Sequence, residues 1–206
     1  MSGWTKHSGQ AVALPIHNID TDQLIPSRFM STPRSKGYGG FLLHDLRRDG
    51  SGSEHPHFPL NRHKEASIVV AGRNFGSGSS REAAVYALVD AGIRAVFAPS
   101  FGDIFAGNAV NNGLLPARIP EEDFDSLMRA LEDSARPAHV CLEAGQLSIN
   151  GRTIGFHIDP GWRTKLINGW DDIDLTMQHR AAIEQHKQGR DSHAPWVRPL
   201  KEHTGS

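Results

Sequence analysis

The chain has 206 residues, 22 of them Lys or Arg against 23 Asp or Glu, and 38% are hydrophobic. That length allows one sizeable core, the balanced charge offers no general field for nucleic acid, and no apolar run is long enough to span a bilayer. A single cysteine, Cys141, excludes an internal disulfide and any cluster held by several thiolates of this chain alone. The opening Met1-Ser2-Gly3-Trp4-Thr5-Lys6-His7 has no apolar h-region, so a cytoplasmic location is expected.

In chain order, Gly9-Gln10-Ala11-Val12-Ala13-Leu14-Pro15 reads as a strand followed by the polar turn Asn18-Ile19-Asp20-Thr21-Asp22, where both aspartates fit Asx turns or ligand contacts. Positions 31–40, with Arg34, Lys36 and three glycines, read as a mobile basic loop. The loop around His55-Pro56-His57 is solvated, with metal contact the less expected role. Ser67-Ile68-Val69-Val70-Ala71 is a buried strand, and residues 82–91 form a helix ended by Gly92. Arg94-Ala95-Val96-Phe97-Ala98-Pro99 is the next strand, which fits a right-handed parallel crossover.

Ser100-x-x-Asp103 then caps a helix to about Asn111, closed by Gly113, and Leu114-Leu115-Pro116-Ala117-Arg118-Ile119 is a further strand. A helix opens at Pro120-Glu121-Glu122-Asp123, with acids on its dipole. Short strands at 138–142, 146–149 and 152–158 follow, turned by Gly145 and Asn150-Gly151. Cys141 falls in the first of these and reads as a buried, inert thiol. Helices near 160–168 and 172–186 close the fold, and a polar tail begins at Gly189. The sum is an α/β domain whose sheet is parallel in the middle and antiparallel at its edge.

The chemistry concentrates in Arg73-Asn74-Phe75-Gly76-Ser77-Gly78-Ser79-Ser80-Arg81-Glu82, a Gly/Ser loop between a strand and a helix. The first amides of a helix lack internal partners and its macrodipole is positive there, so a carboxylate or phosphate is favoured. Ser79-x-x-Glu82 also fits a capping box, which by itself would explain the serine. The two readings are compatible, since a serine oxygen among helix amides and beside Arg81 can be stabilised as an alkoxide, the form a general base at carbon requires. A Walker loop is excluded because the loop has no lysine. A hydrolase elbow and a dinucleotide fingerprint fail on glycine spacing.

Asn18-Ile19-Asp20-Thr21-Asp22-Gln23-Leu24-Ile25-Pro26, the loop Gly76-Ser77-Gly78-Ser79-Ser80-Arg81-Glu82, and Ala98-Pro99-Ser100-Phe101-Gly102-Asp103-Ile104-Phe105 through Asn111-Asn112-Gly113-Leu114-Leu115-Pro116 together resemble the small subunits of 3-isopropylmalate dehydratase, in the aconitase superfamily. The likeness continues through Phe156-His157-Ile158-Asp159 and Leu166-Ile167-Asn168-Gly169. It implies a swivelling β/β/α domain like the aconitase C-terminal domain, a mixed sheet with flanking helices, over residues 1–188, with 189–206 a loosely held tail.

The resemblance also implies half of an enzyme. A separate large subunit would carry a [4Fe-4S] cluster, none would be bound by this chain, and the pair would isomerise 2-isopropylmalate to 3-isopropylmalate in leucine biosynthesis through an unsaturated diacid. Ser79 would match the general base, Arg81 the cation on a substrate carboxylate, Ser80 a hydroxyl bonded to that carboxylate, and Asp22 a carboxylate facing the site. A second carboxylate contact would fall to Arg34 or Arg28.

The chain departs from the family pattern at Ser77, where cysteine is common, at Ala83-Ala84-Val85-Tyr86, where His-Ala-Pro-Trp is common, and at Leu46, where tryptophan follows Asp45. These departures leave open a paralogue acting on dimethylmalate or citramalate. If the loop is only a capped helix, a non-catalytic anion-binding regulatory subunit follows instead.

Overall fold

A computed structural model describes residues 2–78, 80–132, 134–194 and 196. The chain divides into two units, Met1–Trp170 and Asp171–Ser206. In chain order the first contains β1 (Lys6–Leu14), α1 (Thr21–Leu24), α2 (His44–Arg47), α3 (Pro59–Arg62), β2 (Ala66–Ala71), α4 (Glu82–Asp90), β3 (Ala95–Ala98) and α5 (Asp103–Asn111). After these come β4 (Leu115–Arg118), α6 (Glu121–Leu131), β5 (Arg136–Cys141), β6 (Gln146–Ile149), β7 (Arg152–Gly155) and α7 (Pro160–Asn168). One seven-stranded sheet has the order β4-β3-β2-β1-β5-β6-β7. β1 to β4 pair in parallel, while β5 to β7 add an antiparallel edge to β1.

The composition of β1 explains this central place. Its polar first half, Lys6 to Gln10, is partly exposed beside β5, and its apolar second half, Ala11 to Leu14, is buried beside β2. A strand covered on both faces reads as a continuous apolar run, as Ile68 to Ala71 does. Alternate residues then sort between two cores. Val12, Leu14, Val69, Ala71, Val96 and Ala98 join Ala84 and Leu88 of α4 on one side. Ala11, Ala13, Ile68, Val70, Ala95 and Phe97 meet Phe124 and Leu127 of α6 on the other. Buried Lys165 of α7 donates to Asn111 Oδ1 at 2.5 Å, at the negative end of α5.

Several predicted details differ. The turn at 18–22 runs into α1, where Asp20 and Gln23 form a reciprocal capping box, so the sequence Asp20-x-x-Gln23 carried a helix signal. α5 is capped at Gly102 without a side-chain bond, because Ser100 Oγ accepts from the Asn74 N–H at 2.8 Å instead. Pro120 takes the N-cap position of α6. The last strand stops at Gly155, and His157 pairs with Arg118 as an isolated bridge.

The segment at 31–40 forms two short 3-10 turns, Arg34–Lys36 and Gly39–Phe41, fastened to the end of α4 by Asp90, which accepts from Arg34 and from the Tyr38 N–H. In the second unit the single helix expected at 172–186 is two, α8 (Asp172–Met177) and α9 (Arg180–His193). Gly189, where the tail was expected to start, lies within α9. No helix among the described residues is long and apolar enough to cross a membrane.

Gly76 has φ +72, and a Cβ there would stand 2.2 Å from the Phe105 ring. Gly76→Ala should therefore destabilise the fold by ~2 kcal/mol or more, since it combines backbone strain with overpacking. Gly107, inside α5 with open space around it, should do the reverse: Gly107→Ala should stabilise by ~1 kcal/mol. Thermal melting of the two variants checks the contrast.

Candidate active site

The loop after β2 continues the parallel sheet without being a strand. Gly76 N–H donates to Ile19 O at 2.7 Å and Thr21 N–H to Ser77 O at 2.9 Å on one side. On the other, Phe75 N–H donates to Ser100 O at 3.0 Å and Gly102 N–H to Phe75 O at 2.9 Å. The loop is thus clipped between the chain leaving β1 and the chain leaving β3. Asn18 and Asn74, both at positive φ, reverse the backbone there, and Asn74 Nδ2 bonds Asn18 Oδ1 at 3.0 Å. Asparagine is among the few non-glycine residues that adopt this conformation readily.

This clip brings two helix starts together. Arg81 is the N-cap of α4 and Asp22 lies in the first turn of α1; their side chains form an ion pair. The Asp22 side chain is 55% exposed and that of Arg81 23%. Such an exposed pair contributes only ~0–1 kcal/mol, so Arg81 can exchange Asp22 for a ligand carboxylate at little cost. Ser80 is exposed beside them. Ser79 lies outside the described residues.

The expected Ser79–Glu82 box is not how α4 begins. Its N-cap is Arg81 with no side-chain cap bond, which places Glu82 at the first helical position and not the third. Glu82 Oε1 accepts from Asn112 Nδ2 at 2.9 Å instead. Burial, followed by the hydrogen bond and charge of Glu82, raises the Tyr86 phenol above its ordinary pKa.

Both candidate loop arginines are engaged. Arg34 Nη1 and Nη2 bond Asp90 at 2.5 and 2.8 Å, and its Cζ lies 4.4 Å from the Tyr86 ring centroid. Arg28 forks onto Asp45 and stacks 4.6 Å from Phe29. Leu46 and Tyr86, two of the departures from the family pattern, pack against the first core.

Sequence reasoning named Tyr86 only as a departure from the family pattern, and it missed Asp90. One signal for Asp90 was present: an acid in the last turn of a helix opposes the macrodipole and calls for a cation.

His55 and His57 line an open groove with Ile16, Phe58 and Met128. No group of three or more His, Cys, Asp or Glu is placed to hold a metal among the described residues. Cys141 is partly buried and pairs with Lys6, at the end of β1 opposite the loop. The donor set of an iron–sulfur cluster is therefore not found in the described part of this chain.

Comparison with known proteins places these features in context. Residues 1–122 match the model of the aconitase C-terminal domain, and residues 172–199 match that of the C-terminal domain of the 3-isopropylmalate dehydratase small subunit. The 3-isopropylmalate dehydratase small subunit of Rhodospirillum centenum is 42% identical over 201 residues, covering 96% of this chain and 99% of the relative. That of Shouchella clausii is 43% identical, covering 88% and 93%. A crystal structure of 3-isopropylmalate dehydratase (leuD) from Methanocaldococcus jannaschii superposes with a TM-score of 0.64 at 27% identity, covering 88% of this chain and 99% of that one.

The Arg28 fork and the adjacent His44 hold the Asp45 carboxyl at about 2, below its ordinary 3.8. A depressed folded-state value means that the pair's contribution to stability is fully present above pH ~4 and is lost as pH falls toward 2. Carboxyl NMR titration should find Asp45 near 2 in the parent and close to the ordinary aspartate range in Arg28→Gln. An unchanged midpoint in the variant would contradict the assigned cause.

Proposed function

Because this chain belongs to the family of 3-isopropylmalate dehydratase small subunits, we propose that it is the small subunit of a hydro-lyase converting 2-isopropylmalate to 3-isopropylmalate in leucine biosynthesis. Relatives that match almost the whole chain carry that single name, which favours this reading over a dimethylmalate or citramalate paralogue and over a regulatory subunit. The observation that carries it is the ion pair of Arg81 with the half-exposed Asp22 at the start of α4. A guanidinium already matched to one carboxylate, at the mouth of a loop and at the positive start of a helix, suits a dicarboxylic substrate.

In this reading Arg81 releases Asp22 and takes a substrate carboxylate, and the Ser80 hydroxyl bonds the same group. Ser79, between Gly78 and Ser80, takes the proton from the carbon beside a carboxylate. That proton is weakly acidic, so the base must be strong. The positive end of α4 and the Arg81 charge favour the serine alkoxide and the dianion that develops as the proton leaves. Arg34 holds the distal carboxylate through the N–H groups that Asp90 leaves free. Asp22, displaced from Arg81, remains facing the substrate.

The [4Fe-4S] cluster that the family implies is assigned to a large subunit, with which this chain forms a heterodimer or higher assembly. The cysteine count supports that assignment, since one thiol cannot hold a cluster. A cytoplasmic location accords with a biosynthetic enzyme of small acids.

In the assembled enzyme, Ser79→Ala should lower turnover by ~10²–10⁴-fold, the span typical of a lost general base, while co-elution with the large subunit is unchanged. Steady-state rates together with size-exclusion chromatography check both halves. Near-parental turnover would remove Ser79 from the role of base.

A further inference from the structure

Tyr86 stands where α4 meets the loop that carries Arg34, and three separate contacts converge on that junction. The Arg34 Cζ is 4.4 Å from the Tyr86 ring centroid and 5.5 Å from that of Tyr38, and the two rings are themselves 6.3 Å apart. Burial first, and then Glu82, one helical turn back on the same face of α4, raise the Tyr86 phenol above its ordinary pKa. Glu82 is in turn fixed by Asn112 Nδ2 at 2.9 Å and is the immediate neighbour of Arg81.

Asp90 supplies the other anchor. Its side chain is 18% exposed, and it accepts both from the Arg34 fork and from the Tyr38 N–H at 2.6 Å. A guanidinium has five N–H donors, so a fork onto one carboxylate leaves others available, and the Arg34 side chain is 45% exposed.

We propose that Tyr86 is a positioning residue for the dicarboxylate. Its ring carries the Arg34 guanidinium, so this side chain sets where that carboxylate-binding cation stands beside α4. This rests on the functional reading above, in which Arg81 and Arg34 hold the two carboxylates of a substituted malate.

The choice of an aromatic ring matters physically. A second carboxylate under Arg34 would neutralise it, whereas the negative face of a ring attracts the cation and leaves its charge for the ligand.

The test uses the enzyme assembled with its large subunit and 3-isopropylmalate as substrate. Tyr86→Leu should raise KM ~10-fold with kcat changed less than ~3-fold, while Tyr86→Trp, which restores a ring face, should keep KM near the parental value. Arg34→Ala should raise KM at least as much, and adding Tyr86→Leu to it should have little further effect, since both changes remove one coupled contact. A merely structural Tyr86 would lower melting temperature and active fraction without moving KM.

An unchanged KM in Tyr86→Leu beside a raised KM in Arg34→Ala overturns the inference alone. So does a KM rise in Tyr86→Trp equal to that of Tyr86→Leu, or full additivity in the double variant. An unchanged KM in Arg34→Ala overturns the inference together with the role of Arg34. Absence of turnover in the parental assembly overturns the functional reading on which both stand.

Discussion

The backbone bonds that clip residues 73–77 between the chains leaving β1 and β3 are the constraint on which the site depends. Asn18 N–H to Arg73 O, Gly76 N–H to Ile19 O and Thr21 N–H to Ser77 O satisfy one edge of the loop, and the bonds to Ser100 and from Gly102 satisfy the other. A buried loop must account for its own N–H and C=O groups, and here neighbouring loops do what strands would otherwise do. Close approach is the geometric condition. A Cβ on Gly102 would stand 2.6 Å from Gly76 O, and one on Gly76 would enter the Phe105 ring. Once the loop is held, the starts of α1 and α4 face each other, and Asp22 reaches Arg81.

Charge around this loop is arranged as three arginines each matched to an aspartate: Arg81 with Asp22, Arg34 with Asp90, and Arg28 with Asp45. The three pairs differ in how firmly the acid is held. Asp90 is largely buried and has a second donor in the Tyr38 N–H, and Asp45 is shared with His44. Asp22 and Asp45 are both more than half exposed, and Asp22 lies at the mouth of the loop. Between Arg81 and Arg34, an entering anion therefore meets the less costly exchange at Arg81, whose aspartate is the more exposed.

Much of this architecture was legible in the sequence because strand and helix periods were strong. Ile68 to Ala71 and Ala95 to Ala98 are short apolar runs with glycines beyond them, and they became adjacent parallel strands. Asn150-Gly151, both at positive φ, made the hairpin between β6 and β7. Cap chemistry was less legible. A serine three residues before an acid reads as a box, yet at Ser100 the hydroxyl served a neighbouring loop, and at Glu82 the helix began later than the spacing implied. Both outcomes reflect tertiary partners that local spacing does not encode. The same holds for Asp90, whose partner lies 56 residues away in sequence, and for the break between α8 and α9.

The central claim is that this chain supplies one half of a dicarboxylate isomerase. The most direct measurement is to purify it with the large subunit, reconstitute the iron–sulfur cluster anaerobically, and follow formation of the unsaturated diacid from 3-isopropylmalate by ultraviolet absorbance. Turnover that needs both chains and disappears when this one is omitted is the expected result. A stable, cluster-loaded complex that turns over another substituted malate but not 3-isopropylmalate, or none at all, would contradict it.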